Sequence, residues 1–312
     1  MKEKILRLNL YFGLFILMLS ALLLILHVSF MKTWFFCFSW WSFILIMDSL
    51  NFRKRKVSPL SESVKNFLFS AFISVFVWLV FELFNLRMKN WTYHDLPPNF
   101  LERWLGYFVA YASVIPAMRE ISLFAQSFLY KKKLALFQIR GTPAFLKLCF
   151  FSGGISIFLA LTWPRLFFPL AWLCLFFLLE PLNFWLKNET FLKDLERNDW
   201  TKFWSWVLAG LMAGFLWEFW NFWAGSRWEY SLPYLNFWRV FQMPVFGYTG
   251  FLPFALEVFA LYQFLFAVYK KLQRKILLKS MIFILFLLFY AGVFYLIDTL
   301  QSYSLTCRGL IH

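Results

Sequence analysis

Nine stretches of this 312-residue chain are apolar over membrane length: roughly 8–29, 34–50, 66–86, 104–129, 143–161, 166–186, 203–223, 241–269 and 276–298. About twenty such residues cross a hydrocarbon core as a helix. Lipid-exposed backbone must close its own hydrogen bonds, which leaves only helices or closed barrels. No run alternates as a strand would, so the expected fold is an all-α polytopic membrane protein with about nine transmembrane helices. With 62% hydrophobic and only 15% charged residues, too little polar surface remains to cover a soluble domain.

Within those stretches, acids and amides occur twice in the same order. Asp48-Ser49-Leu50-Asn51-Phe52 answers to Glu180-Pro181-Leu182-Asn183-Phe184, and Glu82 with Asn85 answers to Glu218 with Asn221. Trp91-x-Tyr93 with Leu96-Pro97 matches Trp228-x-Tyr230 with Leu232-Pro233. Tyr111, Pro116 and Glu120 match Tyr248, Pro253 and Glu257, and the offsets run from 132 to 137 residues. An even number of spans per copy inserts both copies in one orientation. The expectation is two parallel four-helix repeats, 1–130 and 143–270, about an axis along the membrane normal, plus an additional C-terminal transmembrane helix at 276–298. Lys131-Lys132-Lys133 and Gly141-Thr142-Pro143 mark the linker.

The net charge of +15 follows the same layout. With the N-terminus inside, 22 of the 31 Lys and Arg fall on the cytoplasmic side and 8 outside, with Arg119 left within a span. That asymmetry is the positive-inside pattern, so the basic loops are expected to meet anionic lipid headgroups rather than nucleic acid. The expected location is the inner (cytoplasmic) membrane, with a cytoplasmic N-terminus and the C-terminus outside. The first stretch lacks a small-x-small cleavage site and reads as an uncleaved span. Cys37, Cys149, Cys174 and Cys307 are scattered, and His27, His94 and His312 are far apart, so no metal or cofactor is expected. Walker A, GxSxG, HExxH, CxxCH and DDxxD motifs are absent, which removes the usual parts for nucleotide hydrolysis, serine esterase chemistry, zinc proteolysis and Mg-dependent prenyl transfer.

Carboxyls in hydrocarbon usually face a partner or a cavity, which makes Glu82, Glu120, Glu218 and Glu257 the catalytic candidates. Glu82 and Asn85 share a helix face with Trp78, and Glu218 with Asn221 repeats the pair. A carboxyl beside a carboxamide can bind a hydroxyl, hold a cation or keep a proton; the alternative is an interhelical clamp worth about 1 kcal/mol per hydrogen bond. Glu120 and Glu257 each follow a proline by four residues. A mid-helix proline frees the carbonyl one turn earlier, here Ala112 or Thr249, and kinks the helix. Arg119 is placed to neutralise Glu120; its counterpart Leu256 leaves Glu257 the better candidate for a protonated acid. Asp48/Asn51 and Glu180/Asn183, near basic loops, read as caps or interfacial ion pairs. Asn85, Asn221, Trp91, Tyr93, Trp228, Tyr230 and Tyr248 form the candidate substrate-binding set, although Trp and Tyr also belong at any membrane surface. Pro244, Gly247 and Gly250 permit a bend in the eighth span.

The order Trp-x-Tyr, outer-loop proline, Gly-rich segment and Pro-then-acid resembles the integral-membrane carotenoid-modifying proteins, the lycopene-cyclase-domain and carotenoid-hydratase types. It is carried by Trp228, Tyr230, Pro233, Gly247, Pro253 and Glu257, and in the first copy by Trp91, Tyr93, Pro97, Pro116 and Glu120, over about thirty residues per copy. The cyclases' proline followed closely by two adjacent acids is replaced here by one acid at the fourth position. The resemblance implies acid-base chemistry on an isoprenoid or lipid substrate. Chemistry agrees, because protonating an isoprenoid double bond needs a neutral acid in an apolar pocket and aromatic faces stabilise the cation that follows. The alternatives are a proton- or cation-coupled transporter using the same glutamates, and a non-catalytic membrane subunit. An aromatic cavity opening to lipid favours the enzyme, and a path to both aqueous faces favours transport.

Overall fold

The computed structural model describes residues 2–129, 134–272 and 274–302, apart from the side chains of residues 2–7. Cys307, His312 and the Lys131-Lys132-Lys133 run lie outside the described residues. The first half contains α1 (Lys2–Ile25), α2 (Ser29–Arg55), α3 (Pro59–Glu62), α4 (Val64–Met88), β1 (Trp91–His94), α5 (Phe100–Tyr111) and α6 (Val114–Leu129). The second contains α7 (Pro143–Thr162), α8 (Pro164–Phe167) running through a 3-10 turn into α9 (Cys174–Trp185), α10 (Phe191–Leu195), α11 (Thr201–Trp223) and β2 (Arg227–Tyr230). A small hairpin, β3 (Arg239–Val240) and β4 (Met243–Pro244), precedes a 3-10 turn at Val245–Gly250, then α12 (Phe251–Leu272) and α13 (Ile276–Leu300).

Eight helical stretches among the described residues are long and apolar enough to cross a membrane, and the protein is a multi-pass helical membrane protein. The 23-residue α11 is not among the eight. Its tryptophans, Glu218 and Asn221 lower its hydropathy, yet it sits at the centre of the bundle against α6 and α12. Helix α1 lies at the edge, packed mainly on α2, while α13 rests on α4 and touches α12.

The close approach of α11 and α12 rests on Gly210 and Gly214, a small-xxx-small pair of the kind that lets membrane helices touch. A Cβ at Gly210 would stand 2.1 Å from the Phe251 carbonyl oxygen, and one at Gly214 would stand 2.2 Å from the Phe251 ring. Gly210→Ala is therefore expected to lower stability by about 1–3 kcal/mol through overpacking. Gly106→Ala, where a Cβ meets nothing within 4 Å, is the control. Equal thermal midpoints for the two variants in detergent would show that α11 and α12 separate at no cost.

Two sequence expectations are corrected. Short strands do form, in the outer loops: β1 and β2 pair antiparallel, with Trp91 opposite Tyr230 and Tyr93 opposite Trp228. Nor do the prolines kink helices. Pro116 is the third residue of α6 and Pro253 the third of α12, where a missing N–H falls among first-turn donors that have no helical partner anyway. The chain breaks before α6, and Ser74 of α4 stitches the break: its hydroxyl donates to the Tyr111 carbonyl (2.6 Å) and accepts from the Ile115 N–H (3.0 Å).

Candidate functional site

Strand β1 exists because Asn85, in the last turn of α4, holds it. The Asn85 carboxamide donates to the Trp91 carbonyl (2.8 Å) and accepts from the N–H groups of Asn90 (2.8 Å) and Trp91 (3.2 Å). Asn221 does the same for β2, donating to the Trp228 carbonyl (2.8 Å) and accepting from its N–H (2.9 Å). Both amides, read from the sequence as facing a substrate, instead position the strands.

That clamp sets Tyr93 over the fully buried Glu82. One oxygen of Glu82, Oε1, accepts from the Trp78 indole (2.6 Å), the Trp91 indole (3.4 Å) and the Tyr93 hydroxyl. Oε2 has no partner among the described residues. Tyr111 donates to the Tyr93 oxygen (2.9 Å), and Tyr107 stacks on Tyr111 with rings parallel and centroids 5.8 Å apart. Burial, and then the Glu82 carboxylate, hold the Tyr93 hydroxyl well above its ordinary pKa, so it remains a donor at any physiological pH.

The second copy is built differently. Glu218 is equally buried and accepts from Tyr230 (3.1 Å). At the 136-residue offset that relates Glu82 to Glu218, however, Trp78 is replaced by Gly214, whose space the Phe251 ring fills. Tyr248, the counterpart of Tyr111, turns away and donates to the Val240 carbonyl (3.1 Å). One acid thus has an aromatic donor set and a tyrosine chain, while its counterpart has a single donor.

The remaining acids hold helices together. Asp48 accepts from the Ser58 hydroxyl (2.9 Å) and the Leu60 N–H (2.9 Å), capping α3; Glu180 accepts from the Leu192 N–H (2.8 Å), capping α10. These are the caps expected from the sequence, applied to the next helix rather than to their own. Glu120 accepts from Asn51 (2.7 Å) and lies against Asp48. Glu257 accepts from the Leu175 N–H (2.7 Å) in the first turn of α9, where a helix N-terminus favours an acidic partner. Arg119 does not pair with Glu120. Neighbouring helical residues point about 100° apart, and its guanidinium lies 5.0 Å from the centre of the Tyr262 ring.

An aromatic cavity of about 740 Å³, counting its open mouth, lies beside the Glu82 set and is lined by Trp34, Trp78, Tyr93, Tyr111, Trp217 and Trp228. Glu82 itself sits one side chain behind this wall. None of the four repeated glutamates lines this cavity: each has its own partners, and the cavity meets the Glu82 set through Trp78 and Tyr93.

The same cavity is edged by a cluster absent from the repeat. Asp298, near the end of α13, accepts from Arg103 at 2.7 and 2.6 Å, from the Trp104 indole (2.9 Å) and from Tyr107 (3.0 Å). Gln301 then donates to the Glu82 backbone carbonyl (3.0 Å), and its own carbonyl accepts from the Tyr93 N–H (2.9 Å). Asp298 stands as an acid at the end of the ninth apolar stretch, and without a counterpart in the repeat it carries no pattern signal. Among the described residues no three His, Cys, Asp or Glu side chains are placed to hold a metal ion. What the arrangement can do is hold an apolar group against a tyrosine hydroxyl wired to a buried acid. No family model, curated protein or solved structure matches the chain.

Proposed function

We propose that the protein acts on a hydrophobic isoprenoid or lipid substrate whose end enters the aromatic cavity, with neutral Glu82 as the acid and Tyr93 as its relay: the hydroxyl, which donates to Glu82 at rest, turns to give its proton to the substrate while taking the proton of Glu82. The observation that carries this is the Glu82–Tyr93–Tyr111 chain ending in the wall of an apolar cavity. Proton transfer to a carbon–carbon double bond would leave a carbocation facing Trp78, Trp217 and Trp228. Loss of a neighbouring proton back to the tyrosine–glutamate pair completes an isomerisation or cyclisation, and addition of water completes a hydration. Glu257, which the sequence marks as the better candidate for a protonated acid, and Glu218 become supporting acids in this scheme. Asp298 holds the stacked tyrosines.

The layout of two parallel repeats with nine crossings fits the same scheme. Pairing of β1 with β2 puts the C-terminal ends of α4 and α11 at one face. The chain between them, through α5–α6, α7 and α8–α9, returns to that face only if α11 also crosses.

The test is to compare extracted isoprenoids from cells with and without the protein, and with Gly106→Phe, which puts a ring into the cavity at a position where a Cβ meets no neighbour. The expected result is a changed isoprenoid profile with the wild-type chain and none with Gly106→Phe. Identical profiles with and without the wild-type chain would sink the isoprenoid assignment.

A second reading, cation- or proton-coupled transport, draws on a polar cavity of about 1070 Å³, mouth included, lined by Arg119, Gln126, Glu189, Lys202 and Gln263. Buried Phe254 packs on both Trp78 (6.0 Å) and Trp217 (5.9 Å), tryptophans that line the aromatic cavity. Ligand-driven proton uptake into proteoliposomes would favour this reading over the first.

A further inference from the structure

We propose that the groove between α4, α12 and α13 is a binding site for one anionic phospholipid, with its acyl chains in the groove and its headgroup on Lys65 and Lys279. The groove is independent of the aromatic cavity. It measures about 1830 Å³ with its open, lipid-facing side included and is walled by Leu68, Phe72, Leu265, Val268, Ile282 and Phe283. One wall is made by α13 lying on α4, where Phe72 stacks on Phe283 (4.9 Å) and the Tyr290 hydroxyl donates to the Phe72 carbonyl (2.8 Å), while the far end of α13 is held on α5 by the pair of Asp298 with Arg103. Towards its start, α13 meets α12 through Lys279, whose ammonium lies 5.7 Å from the centre of the Tyr269 ring. Phe69 stacks on Tyr269 at 3.8 Å to close the floor.

The charge is what selects the occupant. Lys65, in the first turn of α4, and Lys279, in the first turn of α13, both line the groove, and both are exposed. Arg274 and Lys275 follow at the exposed link between α12 and α13. No acid lines the groove; nearby Glu62 lines the polar cavity instead. The lysines sit within a turn of their helix ends, the depth of a lipid headgroup. An apolar trough with cations only at its headgroup end fits a negatively charged diacyl lipid. Each lysine near the surface adds to the preference for anionic lipid, and two together give about thirtyfold over a zwitterionic lipid.

The experiment uses the full chain in detergent, titrated with phosphatidylglycerol or phosphatidylcholine, with retained lipid read by native mass spectrometry. The wild type is expected to retain phosphatidylglycerol about thirtyfold better. Lys65→Gln with Lys279→Gln should abolish that preference while phosphatidylcholine still binds. Ser280→Trp, or Leu68→Trp should the first fail to fold, fills the groove with both lysines in place and should lose both lipids. An undiminished preference in the double glutamine variant would put the anionic lipid elsewhere. Wild-type retention in a folded groove-filling variant would show adsorption of headgroups without the groove, and would overturn the site.

Discussion

Replacing Asp298 with alanine is expected to cost about 3–5 kcal/mol of stability, the range found when one partner of a buried ion pair is removed. Arg103 is 7% exposed at its side chain and Asp298 12%, so a guanidinium would be left in the protein interior without its counter-charge. Arg103 would keep only the Pro97 (2.7 Å) and Pro98 (3.1 Å) carbonyls. The indole of Trp104 and the hydroxyl of Tyr107 would lose their acceptor in the same step. Because burying both charges is itself costly, Arg103→Met with Asp298→Leu should recover most of the loss. Thermal or denaturant unfolding of the two variants in detergent tests this. A single variant within about 1 kcal/mol of wild type, the worth of an exposed pair, would mean that water reaches the cluster. The single substitution should also lower activity, since α13 positions its C-cap residue Gln301, which joins both Glu82 and Tyr93.

Glu82→Gln should reduce turnover by about 10²–10⁴-fold, the usual contribution of a positioned acid or base. It should do so without unfolding the chain. Glutamine keeps the carbonyl oxygen that accepts from Trp78, Trp91 and Tyr93, and gives up only the ability to carry and release a proton. Tyr93→Phe should cost a similar factor. If the two residues act as one relay, the double variant should be no worse than either single one. Glu218→Gln should fall much less, because Glu218 has one donor and Gly214 stands where the first copy has Trp78. Turnover in Glu82→Gln within a few-fold of wild type, or a larger loss at Glu218, would move the acid out of the first copy.

Several parts of the site could be read in the residue string, and others could not. Glu82, Asn85, Trp91 and Tyr93 stand out because polar groups in apolar stretches are expensive, and expensive residues recur in order only where something holds them. Their grouping was therefore legible. Their roles were not, since Asn85 and Asn221 faced either a substrate or the backbone depending on a strand four residues long. Arg119 beside Glu120 suggested an ion pair by adjacency, but helical geometry turns the two apart and places the cation on Tyr262. Ser74 and Asp298 carry no repeat signal, because each matters through its contacts with a distant segment.

From its order of residues alone, this chain is committed to a helical membrane protein. Backbone in hydrocarbon has few ways to satisfy its hydrogen bonds, and apolar stretches of that length have nowhere else to go. The doubling of acids, amides and Trp-x-Tyr pairs was equally a property of the string. Which copy surrounds its acid with aromatic donors was decided only by packing. A single exchange of Trp78 for Gly214 lets the Phe251 ring replace an indole donor, and α13, which belongs to neither copy, closes over the first one through Asp298 and Gln301. Two similar sequences became two unlike environments because donor geometry depends on neighbours brought in from elsewhere in the chain.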